Sequence, residues 1–122
     1  MSERISEAEQ AVMEVLWNEA PLAAADVAER VDPERGWSLR TVKTLLSRLL
    51  AKGVLAHEEA GRRYLYRPVL RREDWVAEES GRLIDRMFGG RVTPLVAHLA
   101  ERDRLTPADI AEIEKLLREL KS

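Results

Sequence analysis

The stretch from Ser38 to Gly53 constrains the fold of this chain more than any other, because residue type defines both its ends and both its faces. Serine is a favoured helix N-cap, and glycine is favoured just past a helix C-terminus. At 100° per residue, one narrow arc between them holds the apolar residues Val42, Leu45, Leu46 and Leu49, with Leu39 and Leu50 at its edges. The sequence therefore predicts an amphipathic helix over residues 38–52 whose apolar arc packs on a core.

The opposite arc of the same helix is cationic. It carries three basic residues, three hydroxyls, one methyl group and no carboxylate: Arg40, Thr41, Lys43, Thr44, Ser47, Arg48 and Ala51. An ordinary solvated helix face mixes charges of both signs, whereas cations and hydroxyls together suit phosphates and base edges. We therefore predict a DNA-recognition helix, with the cap Ser38 and the first six of these residues in contact with DNA. Arg40, Thr41, Lys43 and Thr44, near its N-terminus, are the best candidates for reading bases.

The overall net charge of −2 conceals a strong segregation of charge along the chain. Residues 1–35 carry a net charge of −6, and residues 73–122 carry one of −3. Residues 36–72 instead hold nine basic and two acidic residues, a net charge of +7. A basic block of this size indicates contact with a polyanion.

Two shorter helices are predicted before this one. Ser6, followed three residues later by Glu9, is a capping-box signature, and apolar residues at helical spacing continue it over residues 7–18. A second helix is predicted over residues 23–31, followed by turn residues at 32–36. Three short helices in this order are typical of a helix-turn-helix core.

The segment after the third helix changes from a helical to an alternating pattern. Residues 54–59 and 63–69 have strand-like sequences on either side of residues 60–62, which predicts a β-hairpin. A hairpin directly after a helix-turn-helix is a wing. Arg62 and Arg63 at its tip are placed to reach the phosphate backbone or a minor groove.

The tyrosines of the second strand, Tyr64 and Tyr66, are expected mainly to pack. Residues 1–70 thus form a predicted winged-helix DNA-binding domain. The predicted fold class of the whole chain is mainly α with a small β-hairpin wing, a winged helix-turn-helix followed by a C-terminal helical module.

Residues 71–122 form a predicted helical dimerisation domain. Glu73-Asp74 is an acidic helix start, and Thr93-Pro94 and Thr106-Pro107 each place a capping residue before a proline at the first helical position. Three short helices enclose their apolar stripes poorly on their own, so a second copy of the chain is the expected cover. The alternative is packing against the same chain's winged helix. The predicted interface residues are Trp75, Leu83, Met87, Phe88, Leu95, Leu99, Ile110, Ile113, Leu117 and Leu120, the last four forming an a/d seam.

The sequence argues against several other kinds of site. It has no cysteine, so disulfides, thiolate metal ligands and thiol catalysis are excluded. His57 and His98 fall in different predicted modules, and neither belongs to a metal-binding or catalytic pattern. We therefore predict no metal site, no cofactor and no enzymatic activity. With no apolar run long enough to span a bilayer and no signal-peptide pattern, we expect a cytoplasmic protein without a membrane partner.

Short motifs occur in order along nearly the whole chain: Ser6-Glu7-Ala8-Glu9, Leu16-Trp17, Trp37-Ser38, Thr41-Val42-Lys43-Thr44, Lys52-Gly53, Gly61-Arg62, Phe88-Gly89-Gly90 and Leu95-Val96-Ala97-His98. This ordered set resembles the penicillinase repressor (BlaI/MecI/CopY) family. The resemblance implies a dimeric transcriptional repressor whose winged helix binds a palindromic operator with inverted TACA/TGTA-like half-sites. Double-stranded operator DNA and a second copy of the chain are the implied partners, and β-lactamase, stress or sensor genes are the implied targets.

The chain departs from the family pattern in two places. The copper-responsive branch carries paired cysteines near its C-terminus, and their absence here excludes that metal-sensing mechanism. Other members are inactivated by proteolysis at an Asn-Phe bond, where this chain has His98-Leu99. A sensor protease is therefore an implied partner that the local sequence does not favour.

Taken together, these patterns predict a homodimeric repressor with helix 38–52 in the major groove and the wing, residues 54–69, on the DNA backbone. An alternative from a different class stays open from the residues alone. It is a winged-helix protein-interaction module whose basic face binds an acidic protein partner.

Overall fold

A computed structural model describes residues 4–122, which form two compact units. The first unit ends at Trp75, and the second runs from Val76 to Ser122. The elements are α1 (Glu7–Asn18), α2 (Ala24–Arg30), a 3₁₀ turn (Pro33–Arg35), α3 (Leu39–Ala51), β1 (Leu55–Ala60), β2 (Arg63–Pro68), α4 (Arg72–Phe88), α5 (Thr93–Glu101) and α6 (Pro107–Lys121). The described chain is mainly helical with one antiparallel hairpin, which confirms the predicted fold class. No described helix is both long and apolar enough to cross a bilayer.

The hydrophobic core of the first unit is built from α1, α2, α3 and the start of the hairpin. The predicted apolar arc of α3 is confirmed, since Val42, Leu45, Leu46 and Leu49 are all buried. They pack with Val12, Met13 and Leu16 of α1, with Val27 of α2, and with Val54 and Leu55 at the hairpin. Leu39, expected at the edge of this arc, is 41% exposed instead. It is the first residue of α3, so no preceding helical turn covers it.

The ends of α1 and α2 follow from their residues. The capping box of α1 is present: the Glu9 N–H donates to Ser6 Oγ at 3.1 Å, and the Ser6 N–H donates to Glu9 Oε1 at 2.8 Å. α2 begins at Ala24 with no side-chain cap, because alanine offers no acceptor. It is shorter than predicted by one residue at each end, and Val31 lies in the core just beyond it.

Both predicted ends of α3 are confirmed. Ser38 Oγ accepts the Thr41 N–H at 3.2 Å, and Gly53, just past the C-cap Lys52, has φ +76°. The helix itself is one residue shorter at each end than the predicted 38–52, because these two caps flank it. Trp37 lies before the cap, where it packs on the core and the Arg35 guanidinium stands 4.9 Å from its ring centroid.

The predicted hairpin forms, with β1 and β2 paired from Leu55 opposite Pro68 to Ala60 opposite Arg63. Gly61 takes φ +67° in the two-residue turn, a position that favours glycine because a Cβ is strained there. A third extended segment, at Leu22, was not predicted from the sequence. Leu22 bridges to Tyr66 through two backbone hydrogen bonds of 2.8 and 3.1 Å, which attach the α1–α2 connection to the wing.

The first turn of α4 is attached to α1. Arg72 donates to both carboxylate oxygens of Glu14, at 2.7 and 3.2 Å, and the Trp17 indole N–H donates to the Leu70 carbonyl at 2.8 Å. The ring centroids of Trp17 and Trp75 lie 5.5 Å apart. Trp75 was expected at the dimer interface. It packs instead against the core of the first unit, beside the Trp17 ring, and is half-buried there.

The second unit contains the rest of α4 with α5 and α6. α4 ends at Phe88, directly before Gly89 and Gly90, which both have positive φ. The predicted cap at Thr93 is wrong: α5 includes Thr93, and its N-cap Val92 makes no side-chain hydrogen bond. Proline is equally tolerated one position later, since the first backbone N–H groups of a helix lack partners anyway. The cap at Thr106 is confirmed and forms a capping box with Asp109.

One ion pair in the first unit is largely removed from water. Glu9 is 2% exposed, and Lys52 Nζ donates to its Oε1 at 2.5 Å and to the Arg4 carbonyl at 2.8 Å. Burial alone would raise the pKa of the Glu9 carboxyl. The Lys52 ammonium and the donors of Ser6 outweigh burial and hold that pKa below its ordinary value of 4.5.

This ion pair predicts an acid-dependent stability. A carboxyl whose pKa is lowered by folding stabilises the fold above its unfolded pKa, and this contribution is lost as the pH falls through the folded value. Glu9→Gln should lower the free energy of unfolding by about 1.5–3 kcal/mol at neutral pH. The difference from wild type should shrink below pH 4.5. Urea unfolding of wild type and variant, at neutral pH and at a pH below 4.5, measures this difference in free energy of unfolding. Glu7→Gln, at an exposed position of the same helix, is the matched control. Equal destabilisation at both pH values would contradict this assignment.

Candidate nucleic-acid interface

The polar face of α3 is solvent-exposed along its length. Of the residues predicted to contact DNA, Arg40, Lys43, Thr44, Ser47 and Arg48 are exposed, and Thr41 is half-buried. A shallow concavity of about 400 Å³ is lined by Leu39, Arg40, Lys43, Thr44 and Ser47. The burial of the apolar arc produces this exposure, because fixing one face of a helix in a core orients the opposite face outward.

The hydroxyl groups on this face are partly engaged within the helix. Ser38 Oγ accepts the Thr41 N–H and lies 3.2 Å from Thr41 Oγ1, and Thr44 Oγ1 donates to the Arg40 carbonyl at 3.0 Å. A threonine hydroxyl bonded back to its own helix has a preferred rotamer and keeps acceptor capacity. These bonds fix the side chains before any ligand arrives, with Ser38 mainly in a capping role.

The cations of the basic block fall into two groups. Within residues 4–122, Lys52, Arg63, Arg71 and Arg72 form ion pairs with Glu9, Asp26, Glu73 and Glu14, respectively. The second group makes no side-chain hydrogen bond or ion pair with any described residue: Arg40, Lys43, Arg48, Arg62 and Arg67. These five lie on the exposed face of α3 and on the wing. Such a surface attracts polyanions because its positive charge is not neutralised internally.

The wing and α3 meet in a second concavity, which brings together residues far apart in sequence. Its volume is about 370 Å³, and it is lined by Ala23, Ala24, Ala25, Leu39, Lys43, Arg62, Arg63, Tyr64 and Tyr66. Lys43 lines both concavities, so the helix face and the wing are adjacent. Arg63 is partly neutralised here, since its guanidinium lies 3.8 Å from Asp26 Oδ2.

Tyr64 and Tyr66 differ, although both were expected mainly to pack. Tyr66 packs against the core, and burial raises the pKa of its hydroxyl. Tyr64 is 44% exposed, so the expectation is wrong for this residue. Its ring stacks on His57 with centroids 4.5 Å apart, and its hydroxyl donates to Glu59 Oε1 at 3.3 Å. Tyr64 and Tyr66 lie on the same face of the hairpin as His57 and Glu59, which pair with them across the strands. This placement could have been predicted, because alternate residues of a strand point to the same face.

Leu39 and Tyr64 are among the lining residues of this surface that sequence analysis missed. Leu39 was assigned to the core edge, yet it lines both concavities, and its position in the first turn of α3 is the signal that could have indicated exposure. Tyr64 was assigned to packing. Both add apolar area beside the cations, which is the kind of surface that contacts sugar rings and thymine methyl groups.

The residues predicted for dimerisation lie on α4, α5 and α6, and all but Trp75 belong to the second unit. Leu83, Met87, Ile110, Leu117 and Leu120 are exposed, and Phe88, Leu95, Leu99 and Ile113 are half-buried. Leu120 is 82% exposed, the largest value among the exposed large apolar side chains. Within the described part of the chain, no group of His, Asp or Glu side chains is arranged to hold a metal ion.

Comparison with known proteins identifies relatives along nearly the whole chain. The model of the penicillinase repressor family matches residues 5–119. The penicillinase repressor of Bacillus licheniformis is 31% identical over 119 residues, covering 98% of this chain and 93% of that protein. The methicillin resistance regulatory protein MecI of Staphylococcus aureus (strain N315) is 26% identical over 113 residues, covering 93% of this chain and 92% of that protein.

Two solved structures resemble part of the chain. The solution structure of the DNA-binding domain of the repressor BlaI has a TM-score of 0.53 at 34% identity, covering 61% of this chain and 93% of that one. Monomeric Bacillus licheniformis BlaI, solved in complex with the blaP half-operator, has a TM-score of 0.52 at 34% identity, with 61% and 90% covered. The predicted family and the winged-helix fold are confirmed by these matches.

Proposed function

The chain belongs to the penicillinase repressor family, and from this membership and the surface of α3 we propose how it recognises an operator in double-stranded DNA. Membership makes it a DNA-binding transcriptional repressor and not an enzyme. The observation that carries the proposal is the exposed face of α3, which holds Arg40, Lys43 and Arg48 without internal ion pairs to described residues. The BlaI complex with its half-operator supports DNA over an acidic protein as the partner.

In the proposed complex, α3 enters the major groove with its N-terminal residues nearest the base edges. Arg40, Lys43 and Thr44 read bases, and Ser47 and Arg48 contact the flanking backbone. Arg62 and Arg63 of the wing bind phosphates beside the groove. The function of residues 1–70 is thus DNA binding, and the first turn of α4 is attached to them.

Residues 71–122 are proposed to join two copies of the chain. The support is the row of exposed apolar residues on α6, where Ile110, Leu117 and Leu120 repeat at the spacing of a helix seam. Two recognition helices related by two-fold symmetry would bind inverted half-sites about one DNA turn apart.

The proposed location is the cytoplasm, because the relatives come from bacteria, whose DNA lies in that compartment. The names of those relatives suggest β-lactam resistance genes as targets. A sensor protease receives the least support among the proposed partners. His98-Leu99 replaces the Asn-Phe pair implied by the family resemblance, and it lies within α5.

Selection from a library of random duplexes tests the proposal. Several rounds of binding should enrich inverted half-sites, and footprinting on the DNA next to the chain's own gene should protect a matching repeat. Failure to enrich any sequence, with retained binding to acidic proteins, would overturn the proposal in favour of a protein-interaction module.

Base reading by α3 predicts a loss confined to the operator. Arg40→Ala and Thr44→Val should each weaken operator binding by about 1–3 kcal/mol per half-site, because a buried contact with a base edge is lost. Fluorescence anisotropy on the selected duplex and on random DNA measures the effect. Arg91→Ala, an exposed arginine in the second unit, is the control. Unchanged operator preference in both variants would rule out α3 as the reading helix.

A phosphate contact by the wing predicts a different signature. Arg62→Ala should weaken binding to operator and random duplexes alike, because phosphates carry no sequence information. It should also flatten the dependence of log affinity on log salt concentration by about one unit per protomer. A salt titration of anisotropy measures both effects. If the variant instead changes the selected half-site, the wing reads bases.

If α6 joins two copies of the chain on one operator, weakening the dimer should also weaken binding to the full operator. Leu117→Ala with Leu120→Ala should shift the chain towards monomer in sedimentation, because apolar contact area at the seam is removed. Affinity for the full operator should fall, whereas affinity for an isolated half-site should stay the same. Wild-type protein that sediments as a monomer at micromolar concentration would contradict the dimer.

A further inference from the structure

Lys52 belongs to the basic block by sequence but is used differently from the other cations of α3. Its ammonium contacts Glu9 Oε1 and the Arg4 carbonyl, and its side chain is 22% exposed. Lys43 is exposed and has no ion pair within the described residues. Two lysines of one helix therefore have opposite environments, one at the reading face and one between α3 and α1.

Three segments of the chain meet at this ammonium. Lys52 is the C-cap of α3, Glu9 is in the first turn of α1, and Arg4 precedes that helix. The same Glu9 oxygen accepts the Ser6 N–H, so the pair is built on the capping box of α1. Glu9 Oε2 is buried and has no hydrogen-bond partner in the part of the chain that the structure describes. Lys52 is thus the one charged partner of this buried carboxylate among those residues.

The geometry suits an orienting role. Apolar packing of Leu45, Leu46 and Leu49 draws α3 onto the core but is weakly directional, so it tolerates small rotations and shifts of the helix. A desolvated ion pair with hydrogen bonds permits a narrow range of distance and angle. Losing one partner also leaves a buried charge uncompensated. The pair therefore restricts the rotation and axial position of α3 at its C-terminal end.

We propose that Lys52 is a positioning residue for operator recognition: its pair with Glu9 fixes the orientation in which α3 presents Arg40, Lys43 and Thr44 to DNA. This inference rests on the proposed function and deepens it. Lys52 contributes to sequence preference through the helix it orients and makes no phosphate contact of its own.

Matched lysine variants test this role. Lys52→Met and Lys43→Met each remove one ammonium and keep a long apolar side chain. Lys52→Met should lower the ratio of operator to random-duplex affinity about three- to tenfold, as expected for loss of a coupling of about 1 kcal/mol. Lys52→Met should leave the salt slope, the dependence of log affinity on log salt concentration, unchanged. Lys43→Met, which removes a base-reading side chain, should lower the ratio at least as much, whereas Arg62→Ala, which removes a phosphate contact, should flatten the salt slope by about one unit per protomer.

Glu9 variants test the same pair from its other side. Glu9→Gln keeps an oxygen for the Ser6 N–H but removes the charge, and it should lower the affinity ratio as Lys52→Met does. Glu7→Gln, the same substitution at an exposed position of the same helix turn, should leave the ratio unchanged. The double variant Glu9→Gln with Lys52→Met should lose no more than the worse single variant, because both remove one interaction.

All affinities are measured on the selected operator and a scrambled duplex, well below the melting temperature of each variant. A flattened salt slope in Lys52→Met would mean a direct phosphate contact and would overturn the inference. A lower melting temperature with an unchanged affinity ratio in Glu9→Gln would reduce the pair to a structural role and would also overturn it. A wild-type protein without operator preference would instead contradict the proposed function, so the two failures are distinguishable.

Discussion

The burial of one face of α3 is the interaction on which the rest of the first unit depends. Val42, Leu45, Leu46 and Leu49 are the contacts through which α1, α2 and the hairpin share a core with this helix. Apolar burial contributes about 25 cal/mol per Å², so these side chains are a large share of the stability of so small a unit. The opposite face is exposed as a direct result. The buried face and the proposed recognition face thus lie on the same thirteen residues, on opposite sides of one helix.

Acidic and basic residues are sorted by the same geometry. α1 supplies Glu9 and Glu14, which neutralise Lys52 and Arg72, two cations that lie away from the reading face. The cations of the exposed face of α3 and of the wing tip, by contrast, have no such partner among the described residues, apart from Arg63. The segregation of charge along the sequence therefore becomes a segregation in space, with Lys52 and Arg72 paired away from the exposed face of α3 and unpaired cations on that face.

Sequence reasoning was strongest where a single element carries its own signals. The extent of α1, the caps of α3 and the hairpin turn at Gly61 all depend on local residue type, and all were predictable. Apart from the cap at Thr93 and the exposure of Leu39, the errors concern contacts between distant segments. Trp75 has the apolar character of an interface residue, and only the proximity of Trp17 assigns it to the core. Lys52 looks like its neighbours in composition, and the Leu22 bridge to Tyr66 leaves no pattern in the sequence. Which surface covers an apolar or charged side chain is a tertiary property that periodicity does not encode.

The unpaired cations of α3 and the wing also have a consequence for the free protein. Like charges that the helix and the hairpin hold near one another repel, and this repulsion raises the free energy of the folded state. The unfolded chain is affected less because it can expand and separate the charges. Counterions screen the repulsion over a Debye length of about 8 Å at physiological ionic strength. Any polyanion that occupies this surface therefore acts on the fold as well as on the interface. We therefore expect the first unit to be most stable when the proposed DNA-binding surface is occupied.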